Sequence, residues 1–238
     1  VKLLLFDVDG TLVLTGGAGM RGMTRAFETV FGVPDALNGI PVAGRTDPAI
    51  LAEMMSRAGV TADDATRARF QDCYLPMLAE EMERPVPDTL HPSQHSHYKG
   101  PLPGVPELVA ALENYDDVFL ALLTGNYTRA AEIKLGHFGL WQPFRCGAFG
   151  EDATERHELV PVAIARALAL GCPPVGSDDV IVIGDTPLDV ACARTAGVRS
   201  LAVATGGYGR DVLEQSQADL AVDALTDTGA IVQWLTRT

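Results

Sequence analysis

The chain has 238 residues, 47% of them hydrophobic and 21% charged, which suits one large domain or two small ones around a sizeable core and excludes a disordered tail. Its net charge of −13 opposes nucleic acid and anionic membrane surfaces as partners. Charge-free stretches stop at about eleven residues, too short for a membrane-spanning helix, and the apolar start Val1–Phe6 meets Asp7 too early for a signal peptide.

In chain order, residues 1–6 form a short apolar run that predicts a buried parallel strand ending at Asp7. Residues 15–98 interrupt the strand pattern. Within them, 20–31, 47–58 and 62–84 read as helices, so a helical insertion follows the first strand. Its exit, from Arg84 to Gly104, is rich in Pro, Gly and His, as a linker is. His91, His95 and His97 stand there among Pro, Ser and Gln, and read as solvated linker rather than a metal tract. Further apolar runs at 118–123, 179–183, 200–204 and 220–222 predict strands. Helical patterns at 104–114, 127–138, 157–170, 187–196 and 226–236 separate them. The alternation predicts an α/β, doubly wound parallel sheet covered on both faces. The core comprises 1–14 and 99–238, and the inserted helical domain 15–98.

Polar or acidic residues end three of these strands: Asp7, Thr124 and Asp185. Ligands of open α/β sheets bind outside those ends, so three separated segments deliver their polar groups to one edge. The four cysteines (Cys73, Cys146, Cys172 and Cys192) form no C-x-x-C pair, and predict reduced thiols in a cytoplasmic protein. Gly17-Ala18-Gly19-Met20-Arg21-Gly22 satisfies G-x-G-x-x-G, the mark of a dinucleotide-binding oxidoreductase. That remote alternative needs a second apolar strand after the helix, where Gly32–Gly39 is turn-like. The glycines read better as a hinge.

Phe6-Asp7-Val8-Asp9-Gly10-Thr11 resembles the D-x-D-G-T signature of the haloacid-dehalogenase-like superfamily, mostly phosphatases. Leu123-Thr124-Gly125-Asn126 resembles its second motif and Gly184-Asp185-Thr186-Pro187-Leu188-Asp189 its fourth, G-D-x-x-x-D. The helical insertion lies where that family places its cap domain. The resemblance implies a Mg2+-dependent phosphomonoester hydrolase, similar to phosphoglycolate phosphatases, acting on a small phosphorylated metabolite. Asp7 would be the nucleophile, forming an aspartyl-phosphate, and Asp9 the general acid and base. The superfamily's dehalogenases lack the second aspartate, so Asp9 points to phosphoryl transfer. Asp7, the Asp9 carbonyl, Asp185 and Asp189 would hold the Mg2+. Gly10, Thr124, Gly125 and Asn126 would bind phosphate oxygens.

The third motif departs from the family pattern. It calls for a lysine touching nucleophile and phosphate, many relatives place it some 25 residues before the fourth motif, and residues 154–159 contain none. The chain's three lysines are Lys2, Lys99 and Lys134. Lys134, on the helix after Thr124, can lean back toward the strand ends and takes the role, with Lys99 and Arg156 as alternatives. In Gly44-Arg45-Thr46-Asp47, Arg45 is expected to pair with a second anionic group of the substrate, or else to be a loop arginine beside a helix cap. The alternative within the family is a phosphomutase of the β-phosphoglucomutase type. The sequence carries no signature of oligomeric state.

Overall fold

The computed structural model describes residues 1–89, 96–153 and 155–237. The apolar runs pair as one parallel sheet. Its strands are β1 (Lys2–Phe6), β4 (Val118–Leu123), β5 (Cys146–Ala148), β6 (Val180–Gly184), β7 (Arg199–Val203) and β8 (Leu220–Val222), in the order β5-β4-β1-β6-β7-β8. Register sets the functional edge: Phe6 lies opposite Leu122 on one side and Ile183 on the other. Asp7, one residue further on, and Thr124 and Asp185, two residues further on, therefore leave the sheet at the same edge. The chain runs from β4 outward to β5, then returns across β1 to β6. The crevice beside β1 is thus a switch point, where open α/β sheets hold ligands.

Alternation along the strands feeds two cores. Leu4, Phe6, Leu122 and Ile183 face α4 (Val105–Leu112), α5 (Thr128–His137) and α9 (Thr228–Leu235). Leu3, Leu5, Ala121 and Val182 face α6 (Leu159–Ala169) and α7 (Pro187–Ala196). Both faces are buried, which is why these strands read as continuous apolar runs. The Pro187 start and Gly197 stop of α7 follow ordinary capping chemistry, with Thr186 accepting from the Asp189 amide.

The insert comprises α1 (Ala18–Phe31), α2 (Asp47–Ala58) and α3 (Asp64–Glu83), and has its own core of Phe27, Leu51, Met54, Phe70 and Leu78. It rests on the start of α5 through Tyr127 and Ala130. A hairpin of β2 (Val13–Thr15) and β3 (Lys99–Pro101) closes its base, with Thr15 opposite Lys99. Glu81, 2% exposed, receives Arg21 Nε at 2.7 Å, Arg25 Nη1 at 2.6 Å and Arg84 Nη1 at 2.7 Å. Arg21 also donates to the Gly16 carbonyl at 2.6 Å. Entry and exit of the insert are thereby tied to one buried carboxylate.

The glycine pattern at 17–22 serves packing. Gly22 faces the Leu78 backbone, where an added Cβ would lie 3.1 Å from its Cα, so α1 and α3 can approach closely. In chain order the main sheet reads 3-2-1-4-5-6, as dinucleotide folds do, but the glycine pattern opens an insert helix beyond β2 and not a helix directly after β1, and α2 and α3 separate it from β4. Four elements were not expected from sequence: β2 and β3 of the hairpin, the short edge strand β5, and α8 (Arg210–Gln215). Among the described residues no helix is long and apolar enough to cross a membrane. His97 is exposed and its Nε2 lies 2.9 Å from the Asp88 carbonyl, whereas His91 and His95 lie outside the described residues.

Candidate active site

The strand ends open into a cavity of about 250 Å³ between the sheet edge and the insert. Its floor is acidic. Asp7, Asp185 and Asp189 are buried, and one carboxylate oxygen from each falls within 4.8 Å of the others. Asp7 extends β1, Asp185 follows β6, and Asp189 begins α7. Glycines make this crowding possible. Gly10 (φ 82°) and Gly206 press on Asp185, where an added Cβ would lie 2.5 Å and 1.7 Å from its Oδ2. Thr11 Oγ1 donates to Asp185 Oδ1 at 3.3 Å, and Thr205 Oγ1 to the Gly10 carbonyl at 2.7 Å.

The cation beside Asp7 is Arg156. Its Nη2 lies 3.1 Å from Asp7 Oδ2 and 2.5 Å from Asp189 Oδ1, and its Nη1 donates to the Gly44 carbonyl of the insert at 3.2 Å. Asp189 spends its other oxygen on Thr186, accepting from N at 3.0 Å and Oγ1 at 2.7 Å. Burial pushes Asp7 up to about 6, Arg156 pulling it down and Asp189 and Asp9 adding to the rise. Burial, with the charges of Asp189 and Asp7, holds Asp185 well above the ordinary aspartate range.

The opposite wall is a second polar group. Lys134 Nζ lies 2.6 Å from Asp9 Oδ2 and donates to Asn126 Oδ1 at 2.5 Å. Asn126 Nδ2 donates to Asp9 Oδ2 and to Thr124 Oγ1, each at 2.8 Å. Lys134 is buried, and Gly19 leaves room for it, since a Cβ there would lie 3.3 Å from Nζ. Sequence reasoning expected Lys134 to touch the nucleophile. The structure sets it on Asp9 and Asn126 and gives the contact with Asp7 to Arg156, the third-motif alternative. Lys99 donates to the Met82 carbonyl and, at 2.8 Å, to the Arg84 carbonyl at the end of α3. Lys2 pairs with Asp179 at 2.6 Å, at the opposite end of the sheet.

The insert contributes residues 43–48. Arg45 lines the cavity, but its guanidinium is engaged: Nη1 lies 2.5 Å from Glu53 Oε2 and donates to the Pro41 carbonyl, and Nη2 donates to the Ala49 carbonyl. Arg45 and Arg57, both hydrogen-bonded to Glu53, hold that carboxyl below the usual glutamate range. Asp47 was visible in the sequence only as a helix-cap residue. Its Oδ2 accepts the Tyr127 amide at 2.9 Å, and its own amide donates to the Gly125 carbonyl at 2.7 Å. Burial pushes Asp47 up to about 6 against the charge of Lys134 and the Tyr127 amide. Gly125 permits this docking: a Cβ there would lie 2.2 Å from the Arg45 carbonyl. Glu151 accepts the Thr128 amide at 2.9 Å, so two amides at the start of α5 already meet carboxylates.

The haloacid dehalogenase-like hydrolase family matches residues 4–194 of the chain. A phosphoglycolate phosphatase of Pseudomonas syringae pv. tomato is 28% identical over 242 residues, covering 94% of this chain and 77% of that protein. Pyrophosphatase PpaX of Halalkalibacterium halodurans is 25% identical, covering 98% of this chain and 97% of that protein. The crystal structure of CbbY from Rhodobacter sphaeroides, in complex with xylulose-(1,5)bisphosphate, superposes with a TM-score of 0.70 at 18% identity, covering 95% of this chain and 96% of that one. A family match across most of the length, on a chain whose three strand ends gather these carboxylates, places the protein among the haloacid dehalogenase-like hydrolases.

Proposed function

We propose that this chain is a Mg2+-dependent phosphomonoester hydrolase for a small phosphorylated metabolite, working through a phosphorylated Asp7. The observation that carries the reading is the charge balance of the cavity floor. Three buried carboxylates meet one guanidinium, so two negative charges remain uncompensated when all are ionised. A divalent cation with a preference for oxygen ligands restores neutrality, and Asp7 and Asp185 offer hard oxygens for it. When bound, Mg2+ supplies positive charge against the phosphoryl oxygens and keeps both carboxylates ionised. Asp189, already holding Arg156 and Thr186, anchors the site's edge.

In this reading an Asp7 oxygen attacks phosphorus, the ester P–O bond breaks, and its electron pair leaves with the alcohol oxygen. Asp9 delivers a proton to that oxygen, then takes one from the water whose oxygen attacks phosphorus and frees Asp7. Lys134 pairs with Asp9 in the structure, and a phosphate in the cavity gives it a competing anion, releasing Asp9 for proton transfer. Arg156 orients Asp7, and Thr124 Oγ1 with the Gly125 amide faces the phosphoryl oxygens. The phosphatase names of the relatives support the reaction class. The cavity's volume suits a metabolite rather than a polymer.

The test is Mg2+-dependent phosphate release from p-nitrophenyl phosphate. Activity is expected with Mg2+, with loss on chelation and no turnover by Asp7→Asn. Turnover by Asp7→Asn at the wild-type rate would end the proposal.

A further inference from the structure

Asp47 grips the core loop after β4 with both its backbone and its side chain. Its amide donates to the Gly125 carbonyl at 2.7 Å, and its Oδ2 accepts the Tyr127 amide at 2.9 Å. Between those two contacts lies Asn126, whose side chain joins Lys134, Asp9 and Thr124. Tyr127 is also the N-cap residue of α5, the helix that carries Lys134. Helix α2 does not require this of Asp47. Thr46 already caps it, accepting the Ala49 amide at 3.3 Å, and an aspartate in a first helical turn serves equally well at the surface. Asp47 is instead 8% exposed, and a buried carboxylate is costly unless charge and hydrogen bonds compensate it. The compensation comes from the core: Lys134 is the largest charge opposing the rise of Asp47, and the Tyr127 amide follows.

We infer that Asp47 is a positioning residue for proton transfer: by holding residues 125 and 127 it sets the Asn126 side chain, and through it Lys134 and Asp9, for work at the leaving oxygen. This inference rests on the phosphatase reading and adds a residue of the insert to it. Asn126 Nδ2 and Lys134 Nζ meet the same atom, Asp9 Oδ2, at 2.8 Å and 2.6 Å. A shift of Asn126 therefore turns the Asp9 carboxyl away from the line along which it delivers a proton. Proton transfer needs a hydrogen bond of good geometry, so a small displacement is felt in the rate. The role asks for an acceptor at the Tyr127 amide rather than for a charge, so an amide side chain of the same shape fills it.

The experiment compares phenyl phosphate, whose leaving oxygen needs a proton, with p-nitrophenyl phosphate, whose phenolate leaves without one, at saturating Mg2+. Values of kcat/KM report the steps up to loss of the phenol, and circular dichroism gives the folded fraction. Asp47→Ala is expected to lower kcat/KM for phenyl phosphate by about 10²-fold, the scale of general acid catalysis, and for p-nitrophenyl phosphate by no more than about tenfold. Weaker phosphate binding would lower both equally, so the ratio isolates proton delivery. Asp47→Asn, which keeps an oxygen for the Tyr127 amide, is expected to recover most of the loss. If Asp47→Ala does not fold, Asp47→Ser, whose oxygen is one bond shorter, takes its place with the same expectations. Equal losses on the two esters, no loss on either, or Asp47→Asn as impaired as Asp47→Ala overturns the inference. Wild-type protein that hydrolyses neither ester strikes the phosphatase reading instead. Acylation of Lys134, one of three lysines and buried, then decides by mass spectrometry, with Lys2 as the internal standard. It is expected to be at least about tenfold faster in Asp47→Ala, as local opening exposes it, and an unchanged rate overturns the inference.

Discussion

The Nη2 atom of Arg156 lies 3.1 Å from Asp7 Oδ2 while the same side chain donates from Nη1 to the Gly44 carbonyl. One buried guanidinium therefore joins the proposed nucleophile to the helical insert, and its contact with Asp189 fixes the fork. Only a planar group with several donors can serve three acceptors in this way. Arg156→Ala is expected to lower kcat toward p-nitrophenyl phosphate by roughly 10²–10³-fold, the scale for removing one preorganised charged donor. Arg156→Lys keeps the charge but not the fork, and should recover part of the rate without restoring the docking of residues 43–48. Hydrogen exchange at those residues, read beside kinetics, separates the two contributions. A wild-type rate in Arg156→Ala would remove the side chain from the reaction.

Lys134 acts on the other wall. It gives Asp9 and Asn126 their shared cation, so its loss leaves Asp9 with the Asn126 Nδ2 donor but no cation and takes the Nζ donor from Asn126 Oδ1. Lys134→Ala is expected to lower kcat/KM by about 10²-fold or more, because phosphate loses a cation and Asp9 its position. Arg156 and Lys134 have no acidic partner in common, so their effects on melting free energy should add within about 0.5 kcal/mol. A double variant no less stable than Lys134→Ala alone would show that the two walls form one network.

Much of this site was legible because its chemistry is local in sequence. Asp7 with Asp9, Thr124, and Asp185 with Asp189 each sit where a buried strand ends, and register brings those ends level. Arg156 was harder to place. Its partners lie 149 and 33 residues away, and the absence of lysine near it hid the fact that a guanidinium fills the space. The state of Arg45 depends on Glu53, two turns along the next helix, and whether a loop turns back onto that helix is a matter of tertiary packing. The hairpin of β2 and β3 pairs residues across the whole insert, and β5 has only three residues and no apolar run. Such elements exist because of what they pair with, which periodicity does not report.

Glu81 offers a test of the insert at a residue that does not line the cavity. It is buried beneath Arg21, Arg25 and Arg84, and removing it would leave three guanidiniums facing one another. Glu81→Ala is expected to cost roughly 3 kcal/mol, the low end for a broken buried pair because Arg25 and Arg84 reach water. Urea unfolding measures the loss. Because the cluster ties Gly16 to the end of α3, activity per folded molecule should fall less than stability does. An unchanged urea midpoint would show that the pairs contribute little.

The pH dependence of stability follows from carboxyls that burial penalises. Asp7 and Asp47 rise from 3.8 to about 6, so between those values the folded chain keeps protons that the unfolded chain has lost. The native state binds more protons there, and the contribution of these two groups to stability falls as pH rises through that window, with the raised Asp185 acting in the same sense. Glu81 works in the opposite sense. Its burial raises the carboxyl, but hydrogen bonds from Arg21 and Arg25 more than offset this and lower it, so its contribution is lost as pH falls. Metal-free protein is therefore expected to melt at lower temperature as pH rises from about 4 to about 6, with Asp47→Asn removing part of the slope. Mg2+ should act on the Asp7 and Asp185 part alone, because a bound cation favours their ionised forms and stabilises by mass action. Its benefit should be small at about pH 4 and grow as Asp7 ionises. Asp185→Asn should abolish that benefit, whereas Asp47→Asn should leave it intact. If Mg2+ raised the melting temperature equally at both ends of the window, the cation would be binding away from the buried carboxylates.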